Sequence, residues 1–161
     1  VVICQFGAMF FPDRANGYTE ARRVLEPNGQ YIFSVWDDIK NNELADIVTQ
    51  VAGRIFPNDP PRFLARTPHG YFDENLIRAD LERGGFAKIE IDYLEKTSFA
   101  PCAYDAAKAY CQGTPLRNEI EALDPSMLDR VTDEASDAIE ARFGKGPIES
   151  KISALVVTAS K

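Results

Sequence analysis

His69, the only histidine of the chain, stands in the stretch RFLARTPHGYFD close to Arg66 and Tyr71. A neutral imidazole can take a proton from a substrate nucleophile when its pKa lies near the working pH, although a lone histidine is more often structural. Arg66 carries the planar fork that holds a carboxylate, and it would serve equally in a structural salt bridge. Asp37 and Asp38 could act as a paired acid and base, but two carboxylates just ahead of a helix are more simply a solvated turn and helix entry. A second group is apolar or small: Gln5, Phe6 and Gly7 close one strand-like run, Trp36 closes another, and Phe10 lies in the aromatic loop GAMFFPD. Of the adjacent Phe10 and Phe11, at least one is expected in the core, with a pocket wall as the competing use. The remaining chemistry is thin, because there is no nucleophile elbow, phosphate loop or metal-ligand spacing.

These residues are placed by a strand, a helix and a strand. VVICQF and QYIFSVW are short apolar runs of strand type, and between them Tyr18, Ala21 and Leu25 recur at helical spacing up to Pro27. Asn28 and Gly29 tolerate the left-handed backbone that follows a helix. A crossover helix between runs without polar alternation points to parallel neighbouring strands covered on both faces. Ligands of such sheets collect at the carboxyl ends, here Gln5-Phe6-Gly7 and Trp36-Asp37-Asp38.

Further along, Leu44, Ile47, Val48, Val51 and Ile55 form one helical stripe capped by Asn41 or Asn42. Residues 58–72 read as a long loop without periodicity. Asp73 caps a helix with Leu76, Ile77 and Leu81 facing inward, Gly84-Gly85 ends it, and Ile89, Ile91 and Tyr93 alternate as a strand with one wet face. Small-residue and acidic helices fill residues 100–143, and ALVVTA belongs to an interior final strand.

CQFGAMFFPD, EARRVLEPNG and the strand ending VWD together resemble the second half of a class I S-adenosylmethionine-dependent methyltransferase, of the type 11-like group. Glu26 and Asn28 occupy the variable places of the family's Arg-Val-Leu-Lys-Pro-Gly-Gly turn, and the resemblance runs more loosely through the rest of the chain. It implies an α/β fold: a partial Rossmann-like sheet in the order four, five, seven, six, the last strand antiparallel, with flanking helices and a helical cap. Residues 1–161 would be one domain, with substrate-side insertions near 39–72 and 100–143. The family's glycine-rich cofactor loop has no counterpart here, so the expectation is the C-terminal portion of a methyltransferase, truncated and not necessarily active alone. The resemblance further implies S-adenosylmethionine as cofactor of the parent enzyme without a metal, with Gln5, Phe6 and Gly7 nearest its methionine end. Phe10, Trp36, Arg66, His69 and Tyr71 would then be substrate walls, and His69 the candidate base.

Composition sets limits on these readings. An apolar fraction of 45% and a charged fraction of 27% describe a globular chain rather than a disordered one. A net charge of −7 disfavours nucleic acid and anionic membranes as partners and suits a small neutral or cationic substrate. Three cysteines without paired spacing suggest neither a disulfide framework nor zinc, and a reducing, cytoplasmic setting is expected. No stretch is long enough to span a membrane. The alternative function is a noncatalytic ligand-binding or dimerisation module with an aromatic-lined pocket. A stand-alone isomerase or cyclase using His69, Asp37 and Asp38 ranks below both. Because the first strand should expose an unpaired apolar edge, a homodimer through that edge is expected.

Overall fold

Val2–Gln5 (β1) and Gln30–Trp36 (β2) pair in parallel, from Val2 opposite Tyr31 to Gln5 opposite Ser34, in a computed structural model that describes residues 1–161. The crossover between them is Arg14–Val24 (α1). It starts where the Asp13 carboxylate accepts the Asn16 amide at 3.0 Å. A turn follows in which Asn28 takes a φ of +64°. Lys88–Ala100 (β3) and Ile148–Ser160 (β4) complete a sheet in the order β1-β2-β4-β3, with β4 antiparallel to β2. This is the expected four, five, seven, six order.

Residues 1–161, read from sequence as one domain, divide into two compact units. Val1–Asp38, Thr67–Glu95 and Ser153–Lys161 make the first; Ile39–Arg66 and Lys96–Ile152 make the second. The second unit begins close to the expected insertions, but residues 67–72 belong to the first.

In the first unit, α1 and Glu74–Arg83 (α4) pack on one face of the sheet, and Tyr18, Tyr31, Phe33, Val35, Ile77, Leu81 and Leu155 are buried together there. Gly84 ends α4 where a Cβ would come within 2.6 Å of the Tyr18 Cβ, so the close approach of the two helices depends on glycine. Within this unit, coverage of both faces is not found. Alternation sends Ile3 outward, and it is 72% exposed. Leu76, expected inside, lies one position off the Ile77–Leu81 stripe and is exposed.

The second unit is a helical cluster of Glu43–Ile55 (α2), Phe63–Arg66 (α3), Ala103–Gln112 (α5), Leu116–Leu123 (α6) and Leu128–Phe143 (α7). Its core joins Leu44, Val48 and Val51 of α2 to Ala106, Ala107 and Cys111 of α5 and Val131, Ala135 and Ile139 of α7. Asn42 holds the N-cap position of α2 without a side-chain bond to the first turn.

The short helix α3 interrupts what reads in sequence as loop. Its N-terminal cap comes from far along the chain: Glu119 accepts the Arg62 and Phe63 amides at 2.9 Å and Arg66 Nη2 at 2.5 Å. Burial opposes ionisation of Glu119, but these donors outweigh it and hold its pKa below the usual carboxylate range. The stability this contributes is present above pH 4.5 and is lost as pH falls further. Glu119→Ala is expected to loosen α3 by about 1–2 kcal/mol. Faster amide exchange at Phe63 and Arg66 would show it, whereas unchanged protection there would refute the cap.

Candidate functional site

The carboxyl ends of β1 and β2 turn sharply. Phe6 takes a φ of +49°. That left-handed conformation disfavours a non-glycine residue by about 1–2 kcal/mol. Its amide donates to the Ser34 carbonyl at 3.1 Å and to Ser34 Oγ at 3.2 Å, which hold the turn. Gly7 follows where a Cβ would meet Cys4 Sγ at 2.8 Å. The turn lays the Phe6 ring on Trp36, with centroids 4.2 Å apart and planes 21° from parallel. On Trp36 in turn leans His69, at 5.9 Å and 39°.

His69 is 6% exposed, and its Nδ1 lies 2.9 Å from the Asp37 carbonyl. A carbonyl only accepts, so Nδ1 carries the proton and the neutral ring keeps a lone pair on Nε2. Burial lowers the His69 pKa, and it prevails over the opposing pull of the Asp37 carbonyl and the Asp38 and Asp37 charges. An NMR titration is therefore expected to place His69 below 6.5, with folding stability lost as pH falls through that window. A value above 6.5 would contradict the neutral ring.

Asp37 is not a solvated turn residue: it is 5% exposed. Its carboxylate accepts Ser153 Oγ at 2.8 Å and the Asp38 amide at 2.7 Å, and the pleat of β4 points Ser153 inward with Leu155. The carboxylate secures the backbone whose carbonyl orients His69. Sequence reasoning misses Ser34 and Ser153, whose only mark there is a hydroxyl inside an apolar strand.

The other expected residues go elsewhere. Phe10 is 54% exposed, while Phe11 packs its ring on Tyr18 at 6.4 Å. Tyr71 is fully buried, lies under the Arg14 guanidinium at 4.1 Å, accepts the Tyr18 hydroxyl at 3.2 Å and donates to Asp80 Oδ2 at 2.9 Å. It sits in the core rather than on a wall. Arg66 belongs to the second unit and is engaged by Glu119. Phe6, Trp36 and His69 thus form the cluster, with Gln5 and Gly7 beside it in sequence.

On the uncovered face of β1, β2 and β4, Ile3, Gln5, Ile32, Leu94 and Val156 line an open groove of about 240 Å³, with Phe6 at its end. It is mainly aliphatic, with Phe6 and Phe33 the aromatic residues of its lining. No group of three or more His, Cys, Asp or Glu side chains is placed to hold a metal ion, and no helix is long and apolar enough to cross a membrane.

No protein-family model matches the chain, and no curated protein matches it. Solved structures do. A protein of Bacillus halodurans C-125 described as a candidate methyltransferase matches at a TM-score of 0.52 and 18% identity, over 99% of this chain and 68% of its own. YcgJ of Bacillus subtilis follows at 0.48 and 16%, covering 99% and 62%. Phosphoethanolamine N-methyltransferase 2 of Haemonchus contortus, solved with phosphomonomethylethanolamine and S-adenosylhomocysteine, matches at 0.42 and 11%, covering 99% and 33%. The chain therefore spans about two thirds of the first two. The first match carries the fold: a partial Rossmann-like sheet of the class I methyltransferase type.

Proposed function

We propose that this chain takes part in S-adenosylmethionine-dependent methyl transfer to a small-molecule nucleophile and supplies the substrate side of that site. The observation that carries the proposal is the Phe6, Trp36 and His69 cluster at the carboxyl ends of parallel strands, where open α/β sheets take their ligands. The strained Phe6 turn and side-chain-free Gly7 suit the amino-acid end of the cofactor, with Gln5 alongside. They offer nothing for its nucleoside end, and the 161 residues contain no glycine-rich loop to do so.

The bound cofactor would supply an electrophilic sulfonium methyl group. Phe6 and Trp36 exclude water and position the acceptor. His69 Nε2 takes the proton that the nucleophile loses, while Nδ1–H stays on the Asp37 carbonyl and prevents the ring from turning.

The test is an NMR titration of the 161-residue chain with S-adenosylhomocysteine, following the Gln5, Phe6 and Gly7 amides and the Trp36 indole. Saturable shifts at these groups are expected, with weak affinity because only part of the cofactor is met. No shift at any of them would overturn the assignment.

A second reading, a noncatalytic assembly module, is supported by the outer edge of β1. VICQ carries no charge, proline or bulge to guard that edge, and edges of this kind pair with a second copy. Light scattering is expected to give a dimer mass and Ile3→Lys a monomer. A monomeric parent chain would rule this out.

A further inference from the structure

At the amino end of β2, away in sequence from the Phe6 turn, lies a second concavity of about 540 Å³. It is lined by the end of α1, the Asn28 turn, the Gly85 turn between α4 and β3, and the last residues of β4. Its charged side chains are Arg22, Lys88 and Lys161; no acidic side chain lines it, although the chain as a whole carries −7. Asn28, Gln30 and Ser160 add neutral donors.

Arg22 is the informative residue. Its side chain is half-buried against Gly85, which has a φ of +91° and would bring a Cβ within 3.1 Å of Arg22 Cδ. Its Nε is buried without a hydrogen-bond partner, and no ion pair holds the guanidinium. A guanidinium has five donors, and leaving them unmatched where solvent is partly excluded is unfavourable. Arg66, Arg83 and Arg142, by contrast, each meet a carboxylate. Lys161 Nζ already donates to the Leu25 carbonyl at 2.5 Å, and Lys88 has only a loose, exposed contact with Glu90 at 3.8 Å. Arg22 and Lys88 therefore carry the uncommitted positive charge.

We propose that this pocket binds a phosphate dianion, either free or as the monoester end of a small metabolite. A tetrahedral dianion has acceptors enough for the Arg22 fork, Lys88 and the amide donors at once, which a monovalent halide lacks. The volume leaves room for an organic body behind the phosphate. The site is separate from the methyl-transfer reading and stands if that reading fails.

The experiment is an amide-resolved NMR titration of the full chain with inorganic phosphate, then with glycerol 3-phosphate and adenosine 5′-monophosphate, against sodium chloride of equal ionic strength. Saturable shifts confined to Arg22, Gln30, Gly85 and Lys88 are expected with phosphate and not with chloride. Tighter binding of an ester than of free phosphate assigns the organic body to the pocket; equal binding assigns phosphate alone. Arg22→Gln and Lys88→Gln should each weaken binding by about tenfold, the loss of one charge-assisted contact. Lys88 is exposed, so its variant keeps the test valid if Arg22→Gln fails to fold. Shifts that chloride reproduces, or affinity unchanged in the Lys88 variant and in a folded Arg22 variant, would overturn the proposal.

Discussion

Above pH 10 the protein is expected to lose stability by about 4 kcal/mol for each further pH unit, because three buried tyrosines stay protonated only while it is folded. Tyr18, Tyr31 and Tyr71 are each within 1% of full burial, and desolvation is the largest cause raising every one of them well above the ordinary value of 10.0. The hydrogen bond to Tyr71 partly offsets this for Tyr18, whereas Tyr71 itself is raised further by Tyr18 and Asp80. Unfolded, all three ionise near 10.0. The folded-state pKa is the higher one, so the contribution is intact below pH 10 and is lost as pH rises from there toward the folded values. Each proton is worth about 1.4 kcal/mol per pH unit, which gives the slope. Tyr110, raised by burial in the second unit, adds in the same direction.

Urea unfolding followed by circular dichroism from pH 9 to 11.5 measures the slope, and absorbance of tyrosinate measures ionisation. The two are expected to change together. Tyr31→Phe should reduce the slope by about 1.4 kcal/mol per pH unit, with little structural disturbance, because the ring remains. Tyrosinate appearing smoothly at pH 10 in a chain that keeps its dichroism would mean the three hydroxyls reach water, contrary to the packing.

The tyrosines also mark how far the sequence could be read. Strand order came from the family resemblance, whereas the crossover between parallel strands was legible, because apolar runs, the Pro-Asn-Gly turn and helical spacing are local features. Phe6 and Trp36 could be placed at strand ends by the same logic. What could not be read was pairing across distance: Glu119 capping a helix 53 residues away from it at Arg66, or Ser153 fixing Asp37 across 116 residues. Asp37 looked like a solvated turn because nothing near it in sequence reveals a hydroxyl from the last strand. The uncovered sheet face had a similar cause, since an unalternating apolar run says that both sides are apolar but not that both are covered. Asp80, also missed, carries a stronger local clue than Ser34 or Ser153. It stands three positions after Ile77 and next to Leu81, so an acid occupies a helical stripe that faces the core.

Asp80→Ala is therefore expected to destabilise the first unit by about 2–4 kcal/mol, more than a surface acid on a helix would. The carboxylate is 3% exposed, and it is the last acceptor of a chain in which Tyr18 donates to Tyr71 and Tyr71 to Asp80. Without it, two hydroxyl hydrogens have only one acceptor between them, and one buried donor is left unmatched. Arg83, the other partner, is 66% exposed and returns to water at little cost, so the loss belongs to the tyrosine side. Asp80→Asn keeps an acceptor oxygen and should lose less than Asp80→Ala. Tyr71→Phe should be largely non-additive with Asp80→Ala, because each breaks the same link. The effect extends to the candidate site through the chain itself. Tyr71 lies two residues after His69, so releasing its hydroxyl frees the segment that presses His69 against the Asp37 carbonyl. In Asp80→Ala the His69 pKa should move up toward 6.5 as water reaches the ring. A stable variant with an unmoved His69 titration would show that the tyrosine network neither holds the fold nor positions the imidazole.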